Sequence, residues 1–275
     1  MEAADDQDED VRRLIEGGAE FAGAAAGAAL SLVGGPVAAV GGAAAGVALT
    51  RSFKRIGSEL QRRFLADRQR VRIGGAYAIA ADRVDERLRA GDVPRQDGFF
   101  TGGDGRAPAE ELLEGVLLAA GDSYEERKVP FLGLLYAAIA FDETITPAQG
   151  NYLIRQAQEL TFRQLAVMAV VREGDARSFP EATGAVGEKW LVCNDNLAIE
   201  VDELERRGFI HRGEYGATHR RGGMTFADAS SLSIDTLTLT GPGDLMYRVM
   251  GLKDVSSEAR AEVMAELELR EPPKD

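Results

Sequence analysis

Residues able to carry acid–base, nucleophilic or metal chemistry are sparse in this chain. Its 275 residues include one cysteine, Cys193, and two histidines, His211 and His219, eight positions apart. The histidines have no evident cysteine or carboxylate partner at the spacing of a metal site, and no histidine is placed to activate Cys193. We therefore expect two surface histidines and a small buried cysteine rather than ligands or a nucleophile.

Other catalytic signatures are equally weak. The paired acids Glu125-Glu126 and Asp142-Glu143 lie near predicted helix ends, where carboxylates ordinarily stabilise the helix dipole. The sequence contains no Gly-Lys pair and hence no GxxxxGK[ST] phosphate loop, and its glycine-rich stretches lack the strand–GxGxxG–helix context of a dinucleotide fold. We predict that the chain is not an enzyme and uses neither a metal nor a cofactor.

Composition and charge exclude further classes of function. The formal charge is −13, from 32 Lys and Arg against 45 Asp and Glu, which argues against coating nucleic acid by bulk charge. A single cysteine excludes a disulfide framework and fits a reducing compartment. We expect a mainly α chain, a helical bundle with an N-terminal Gly/Ala-rich helical hairpin and a small C-terminal winged-helix-like α+β part.

The most unusual element is an uncharged run of thirty residues, Phe21–Thr50, which follows an acidic tail at residues 1–20. Gly34, Gly35 and Pro36 divide the run into two arms of about thirteen residues, each roughly 20 Å long as helix. Small-xxx-small spacings of this kind let helices approach closely in lipid. The glycines that carry the spacing are Gly23 and Gly27 in one arm, and Gly42 and Gly46 in the other.

The chain becomes basic directly after the run. Between Arg51 and Arg72 eight basic residues face two acids, and Phe53, Ile56, Leu60 and Phe64 form one apolar stripe at helical spacing. That pattern fits an interfacial helix on anionic lipid, and it fits a core-facing soluble helix equally well. The residues predicted to contact lipid are Arg51, Lys54, Arg55, Arg62 and Arg63.

After the acidic tail, the sequence pattern divides the chain into three parts. The hairpin and basic helix form a region at 21–91 that ends at Gly91, and residues 92–107 form a linker. Region 108–275 is predicted to contain helices that begin near Pro108, Tyr124, Pro147 and Thr161, the apolar run at 131–141 being too short to cross a bilayer. Later come a helix that stops at Gly208, strands at 209–210 and 235–240, and helices at 244–252 and 256–269.

The uncharged run resembles the glycine-zipper stretches of membrane-associated bacterial proteins and, loosely, the Ala/Gly hydrophobic hairpin of pore-forming colicins. The resemblance covers about thirty residues, and the arms here are shorter and poorer in large aliphatic residues. It implies membrane insertion or oligomerisation, as in pore-forming toxins and in effectors of antiviral defence by abortive infection. On this interpretation the protein is cytoplasmic, peripheral to or inserted in the inner membrane, with anionic lipids and copies of itself or another protein as partners.

About ninety residues from Leu160 onward resemble a winged helix of MarR-like regulators. The matching phrases are LTFRQLAVMAVV, VDELERRGFI and LTLTGPGDLMYRVM, with Thr240 and Gly243 where the family leaves the wing. The resemblance implies a recognition helix at 194–207, but that helix is acidic and would repel phosphates. The residues available for wing contacts with DNA or lipid headgroups are His211, Arg212, His219, Arg220 and Arg221.

Three functions follow from these patterns. The first is a membrane-associated protein whose hairpin inserts or oligomerises and perturbs the membrane. The second is a winged-helix transcriptional regulator, for which nucleic acid is the partner. The third is a soluble scaffold whose Gly/Ala helices pack against copies of themselves.

Overall fold

The computed structural model describes residues 51–53, 55–56, 67–102, 105–173, 190–193, 195–212 and 237–270. The chain divides into two compact units, the first comprising Met1–Thr161 with Val249–Gly251, and the second Phe162–Arg248 with Leu252–Asp275. Helices dominate the described residues, and short antiparallel strand pairs occur only towards the C-terminus. The predicted mainly α fold with a small α+β part is therefore confirmed. The predicted hairpin at Phe21–Thr50 lies outside the described residues.

The first unit is built from four described α-helices and one short 3₁₀ turn. The helices are α1 (Asp67–Arg89), α2 (Pro108–Gly121), α3 (Val129–Ile139) and α4 (Pro147–Glu159), and the 3₁₀ turn at Glu126–Lys128 precedes α3. A proline lies in the first turn of α2, α3 and α4, where its missing N–H removes no helical hydrogen bond. Thr146 and Gln149 add a capping box at the start of α4.

Helix α3 is the centre of the first unit. All of its residues except Ala138 are buried, which confirms that the apolar run at 131–141 contributes a core helix. Helix α1 continues through Gly74 and Gly75 without interruption, and it packs closely on α3. A Cβ atom on Gly133 would lie only 2.6 Å from the Ala76 carbonyl oxygen, so the two backbones meet where glycine is required.

The segment predicted as a linker, residues 92–107, lies within the first unit. Its residues Arg95, Phe99, Phe100 and Ala107 are buried. Hydrogen bonds also fix its backbone, since the Arg95 N–H donates to Ala140 O and the Ala109 N–H donates to Phe99 O. The units are instead divided between Thr161 and Phe162.

The second unit combines short helices with two strand pairs. Its described elements are α5 (Phe162–Glu173), β1 (Trp190–Cys193), α6 (Asp195–Arg206), β2 (Ile210–Arg212), β3 (Leu237–Leu239), α7 (Gly241–Val249), a 3₁₀ turn (Leu252–Asp254), α8 (Ser257–Met264) and β4 (Leu267–Arg270). Strand β1 pairs antiparallel with β4, and β2 with β3. The predicted helix end at Gly208 is confirmed, and Gly208 has a φ of +77°.

Charged pairs connect helix α5 to the elements around it. Arg163 makes a two-pronged contact with Glu266, at 2.5 and 2.6 Å, and this hydrogen bonding raises the pKa of the guanidinium. At the other end of α5, Glu173 accepts hydrogen bonds from the Tyr247 hydroxyl, at 3.0 Å, and from Arg260. The contacts hold α5 against α7 and α8.

The C-terminal prediction needs one correction. A helix was expected over 256–269, but the α-helix ends at Met264 and Leu267–Arg270 form strand β4. The helix begins where predicted, because the Ser256 hydroxyl accepts a hydrogen bond from the Ala259 N–H. Its last predicted turn is lost because those residues pair instead with Trp190–Cys193, more than seventy positions away.

Candidate functional site

The candidate site consists of the first described residues, which follow the uncharged run in sequence, and the core residues that they contact. Residues 51–53 and 55–56, here called the junction segment, are helical and begin one position after Thr50. Ser52 and Phe53 are each 2% exposed, and Ile56 is fully buried. The first two members of the predicted apolar stripe therefore face the protein core, while Leu60 and Phe64 lie outside the described residues.

An aromatic cluster receives the junction segment. The Phe53 ring meets Tyr77 of α1 with centroids 5.2 Å apart and planes at 79°, and Tyr136 of α3 with centroids 5.4 Å apart and planes at 86°. Both are edge-to-face contacts, which the positive edge and negative face of aromatic rings favour. Phe53 thus attaches the junction segment to two helices of the first unit.

An ion pair forms the polar side of the same contact. Nη1 of Arg55 lies 3.0 Å from Oε2 of Glu110, on α2, and Nε of Arg106 lies 3.9 Å from the same oxygen. The Glu110 side chain is 8% exposed, whereas the Arg55 side chain is 60% exposed. A buried carboxylate is therefore neutralised mainly by a cation that reaches it from the surface.

One polar atom of the cluster lacks a hydrogen bond. Within the described part of the chain, the Tyr136 hydroxyl is buried without a hydrogen-bond partner. Burial raises the pKa of Tyr136 far above its ordinary value, and the nearby Glu110 and Tyr77 raise it further. Burial also raises the pKa of Tyr77 to about 12. Both phenols therefore stay neutral at physiological pH.

The structure describes few of the residues predicted to meet lipid. Arg51 is exposed and helical, and Arg55 is paired with Glu110. The other predicted positions lie outside the described residues, namely Gly23, Gly27, Gly34, Gly35, Pro36, Gly42, Gly46, Lys54, Arg62 and Arg63. The lipid and oligomer contacts of this set remain predictions.

The predicted wing is described only at its base. His211 is exposed on β2 opposite Thr238, and Arg212 is opposite Leu237, whereas His219, Arg220 and Arg221 lie outside the described residues. Thr240 closes the strand pair, since its hydroxyl donates to Gly208 O at 2.5 Å and accepts from the Gly243 N–H at 3.1 Å. A Cβ atom on Gly243 would lie 2.0 Å from the Phe209 carbonyl oxygen. Thr240 and Gly243 therefore fix the end of the β2–β3 strand pair against Gly208 and Phe209.

The helix predicted to read DNA offers little free positive charge. Glu203 of α6 pairs with both arginines at the end of the helix, Arg206 and Arg207. Leu197, Val201 and Leu204 are fully buried, so one apolar face of this helix packs into the core. Ile199 is 63% exposed on the opposite side.

The acids considered for catalysis contact structural partners. Glu126 lies 3.6 Å from both Arg68 and Arg72 of α1. Glu143 accepts a hydrogen bond of 2.7 Å from the Gln96 N–H. Cys193 lies on β1 opposite Leu267. Among the residues described, no group of three His, Cys, Asp or Glu side chains could hold a metal ion.

Two buried cations were missed by the sequence analysis. Arg95, with a side chain 1% exposed, donates to Ile139 O at 3.4 Å and Ile145 O at 2.7 Å, and pairs with Asp97. Its guanidinium also lies 4.3 Å from the centre of the Phe99 ring. The hydrogen bond from Arg95 lowers the pKa of Asp97. Arg95 thereby fixes the segment at 92–102 to the loop between α3 and α4.

Lys128 is the second buried cation. It is 4% exposed, and its ammonium donates to Gln158 O at 2.9 Å and Leu160 O at 2.7 Å, at the end of α4. Helix ends leave carbonyl groups without helical partners, and a cation there also meets the negative end of the dipole. Burial lowers the pKa of Lys128. The only sequence signal was its position directly before the apolar stretch of α3.

Comparison with known proteins adds no relative. No family model matches the chain, and no curated protein or solved structure matches it. Across the described ranges, no helix combines the length and the apolar character needed to cross a membrane.

Proposed function

We propose that this chain is a membrane-associated protein whose first unit holds the uncharged run, Phe21–Thr50, beside an anionic membrane that the run enters or on which it oligomerises. Such entry would perturb the membrane, in keeping with a role in defence or toxicity. The observation that carries the proposal is the attachment of the junction segment, because Phe53 and Ile56, which follow the run within six positions, are buried in a folded unit.

The sequence around the attachment supports this role. Thirty uncharged residues precede it, and eight basic residues against two acids surround or follow it. A basic surface near an anionic leaflet gains roughly 1 kcal/mol for each basic residue. Arg51 is exposed beside the buried Phe53, so the attachment leaves positive charge at the surface next to the run.

Flotation with anionic liposomes tests the proposal on the full chain. We expect the protein to float, and the double substitution Leu30→Glu and Val37→Glu to prevent flotation because it places charge inside the run. A matched control, Ala3→Glu with Ala4→Glu, makes the same charge change in the acidic tail and should leave flotation in place. Failure of the unmodified chain to float, or equal loss in both variants, would contradict insertion of the run.

A winged-helix regulator is the second candidate, and the closure of β2 and β3 by Thr240 and Gly243 favours it. The acidic α6, whose end arginines pair with Glu203, disfavours it. Salt-dependent duplex binding that is lost in Arg220→Glu with Arg221→Glu would establish this function. Absence of duplex binding by the full chain would exclude it.

A self-assembling scaffold is the third candidate. The close approach of α1 and α3 at Gly133 shows that this chain uses small residues to pack helices within a folded unit. A large, regular oligomer of the full chain in aqueous buffer, without flotation, would favour a scaffold over a membrane protein. A single small species under the same conditions would count against it.

A further inference from the structure

We propose that the junction segment is a releasable latch, which detaches from the first unit while α1, α2 and α3 remain folded. The consequence for membranes rests on the proposed function, since detachment would free the uncharged run from its attachment. The latch itself follows from the contacts of Phe53, Arg55 and Ile56.

Opposing interactions act on the attached state. Burial of Phe53 and Ile56 favours attachment, because both side chains leave water and Phe53 gains two edge-to-face contacts. In the attached state the Tyr136 hydroxyl is buried without a hydrogen-bond partner in the described part of the chain. Because Phe53 packs against the Tyr136 ring, we expect its detachment to let water reach this hydroxyl, and hydration of the hydroxyl then favours the open state.

The ion pair between Arg55 and Glu110 can also favour either the attached or the open state. Arg55 is 60% exposed, whereas its partner Glu110 is 8% exposed. An anion at the surface, such as a lipid phosphate, can reach the guanidinium and compete with the carboxylate. Glu110 would then keep Arg106, 3.9 Å away, as its remaining neighbour of opposite charge. The same arginine can therefore hold the latch in water and open it at an anionic surface.

The core under the latch has its own packing. Helices α1 and α3 meet at Gly133, and Ile73 of α1 lies against Gly121 of α2. Leucines of α2 and α3 are fully buried, namely Leu112, Leu113, Leu117, Leu132 and Leu135. The contacts at Gly133 and Gly121 are made between α1, α2 and α3 themselves. Local opening of the latch is consequently expected to require less free energy than unfolding of the unit.

Thiol labelling of the full chain without lipid tests the latch. In a Cys193→Ala background, Ser52→Cys places a thiol in the latch, and Ala119→Cys places a matched buried thiol in α2. We expect the thiol at position 52 to react about tenfold faster or more. Arg55→Met should raise its rate about fivefold while changing the rate at position 119 by less than about twofold, since α2 does not open with the latch.

Tyr136→Phe provides the opposite perturbation. It removes the buried hydroxyl and should slow labelling at position 52 about fivefold, because the open state loses its advantage in hydration. Equal labelling rates at positions 52 and 119, or equal responses of both to Arg55→Met, would overturn the latch. Where the cysteine variants do not fold, amide exchange of the peptide covering 51–56 in the unmodified chain, compared with α2 and α3, replaces them with the same criterion.

Vesicles of phosphatidylcholine and phosphatidylglycerol at 3:1 separate the latch from the proposed function. Arg55→Met and Arg51→Met each remove one positive charge, but only Arg55 contributes the ion pair to Glu110 described above. We expect dye release to be about fivefold faster for Arg55→Met than for Arg51→Met. Latch opening without flotation or dye release would retain the latch and refute the membrane function. Flotation with equal labelling at positions 52 and 119 would refute the latch alone.

Discussion

Two regions of the first unit bury charge in opposite ways. Around Arg95 and Lys128, the buried cations donate to backbone carbonyls in the loop between α3 and α4 and at the end of α4. Around Glu110 and Tyr136, a buried anion relies on a surface arginine, and a buried hydroxyl has no partner among the described residues. In the first region, buried cations fix a loop and the end of α4. In the second, the segment is held by one ion pair whose arginine is 60% exposed, and its attachment leaves a buried hydroxyl without a partner among the described residues.

The difference indicates where the free energy of opening is small. Removing a buried cation leaves the carbonyls that accepted its hydrogen bonds without that donor, which lowers the free energy of unfolding. Removing a buried hydroxyl that has no partner takes away an unfavourable group and raises the free energy of unfolding. Substitutions in the two regions should therefore change the free energy of unfolding in opposite directions. The following four tests run from the largest expected change to the smallest.

Arg95→Met should lower the free energy of unfolding by about 3 kcal/mol, because the Ile139 and Ile145 carbonyls lose a buried donor. The matched control is Arg87→Met. Arg87 also has a carboxylate partner, Asp92 at 2.7 Å, and lies 4.2 Å from the Phe141 ring centre, but it is partly exposed. That control should cost about 0.5 kcal/mol in urea unfolding. Similar losses at both positions would show that burial of Arg95 is unimportant.

Lys128→Met should cost about 2 kcal/mol in the same measurement. The carbonyls of Gln158 and Leu160 lose their donor, and relief of the buried ammonium offsets part of that loss. Lys253→Met, at an exposed position of the second unit, should change stability by less than about 0.5 kcal/mol. A neutral or stabilising effect of Lys128→Met would show that burial of Lys128 is unfavourable, as is expected for the Tyr136 hydroxyl, and not stabilising, as is expected for Arg95.

Tyr136→Phe should raise the free energy of unfolding by about 1 kcal/mol, because it removes the buried hydroxyl and keeps the ring against Phe53. Tyr124→Phe is the control, since Tyr124 is 96% exposed and its hydroxyl is already hydrated. A loss of stability in Tyr136→Phe would show that the hydroxyl has a partner, and the contrast between the two regions would disappear.

Alkaline pH should act on the aromatic cluster with a smaller effect. The pKa of Tyr77 is raised to about 12 in the folded chain, against 10.0 for the free group. Its contribution to stability is therefore complete below pH 10 and is lost as the pH rises from there towards 12. At pH 10.5 the unmodified chain should lose roughly 0.8 kcal/mol more than Tyr77→Phe, both relative to pH 8. Identical pH profiles in chemical unfolding would contradict burial of the phenol.

Local signals in the sequence predicted most of the helices. Proline at the start and glycine at the end identified α2 and the end of α6, because these residues act on the backbone within one or two positions. Strand β4 was assigned to a helix since its partner, β1, lies more than seventy positions away. Pairing over such a distance leaves no periodic signal in the few residues of the strand itself.

The candidate site was predictable only in part. Phe53 and Ile56 were identified as one apolar face, but the sequence left lipid and core as equal destinations for it. Glu110 lies in the first turn of α2, where an acid is ordinary and carries no sign of burial. The burial of Arg95 likewise depends on carbonyls of the loop between α3 and α4. Residues whose role is set by distant backbone cannot be recognised from their own neighbourhood.

Close backbone contact at glycines such as Gly133 and Gly243 also limits which substitutions the chain can accept. A side chain at Gly133 would meet the Ala76 carbonyl, and one at Gly243 would meet the Phe209 carbonyl, whereas Gly241 has open space around it. A saturation library should therefore tolerate most residues at position 241 and almost none at 133 and 243. Natural variation should likewise spare glycine at positions 133 and 243 even where the surrounding chain diverges.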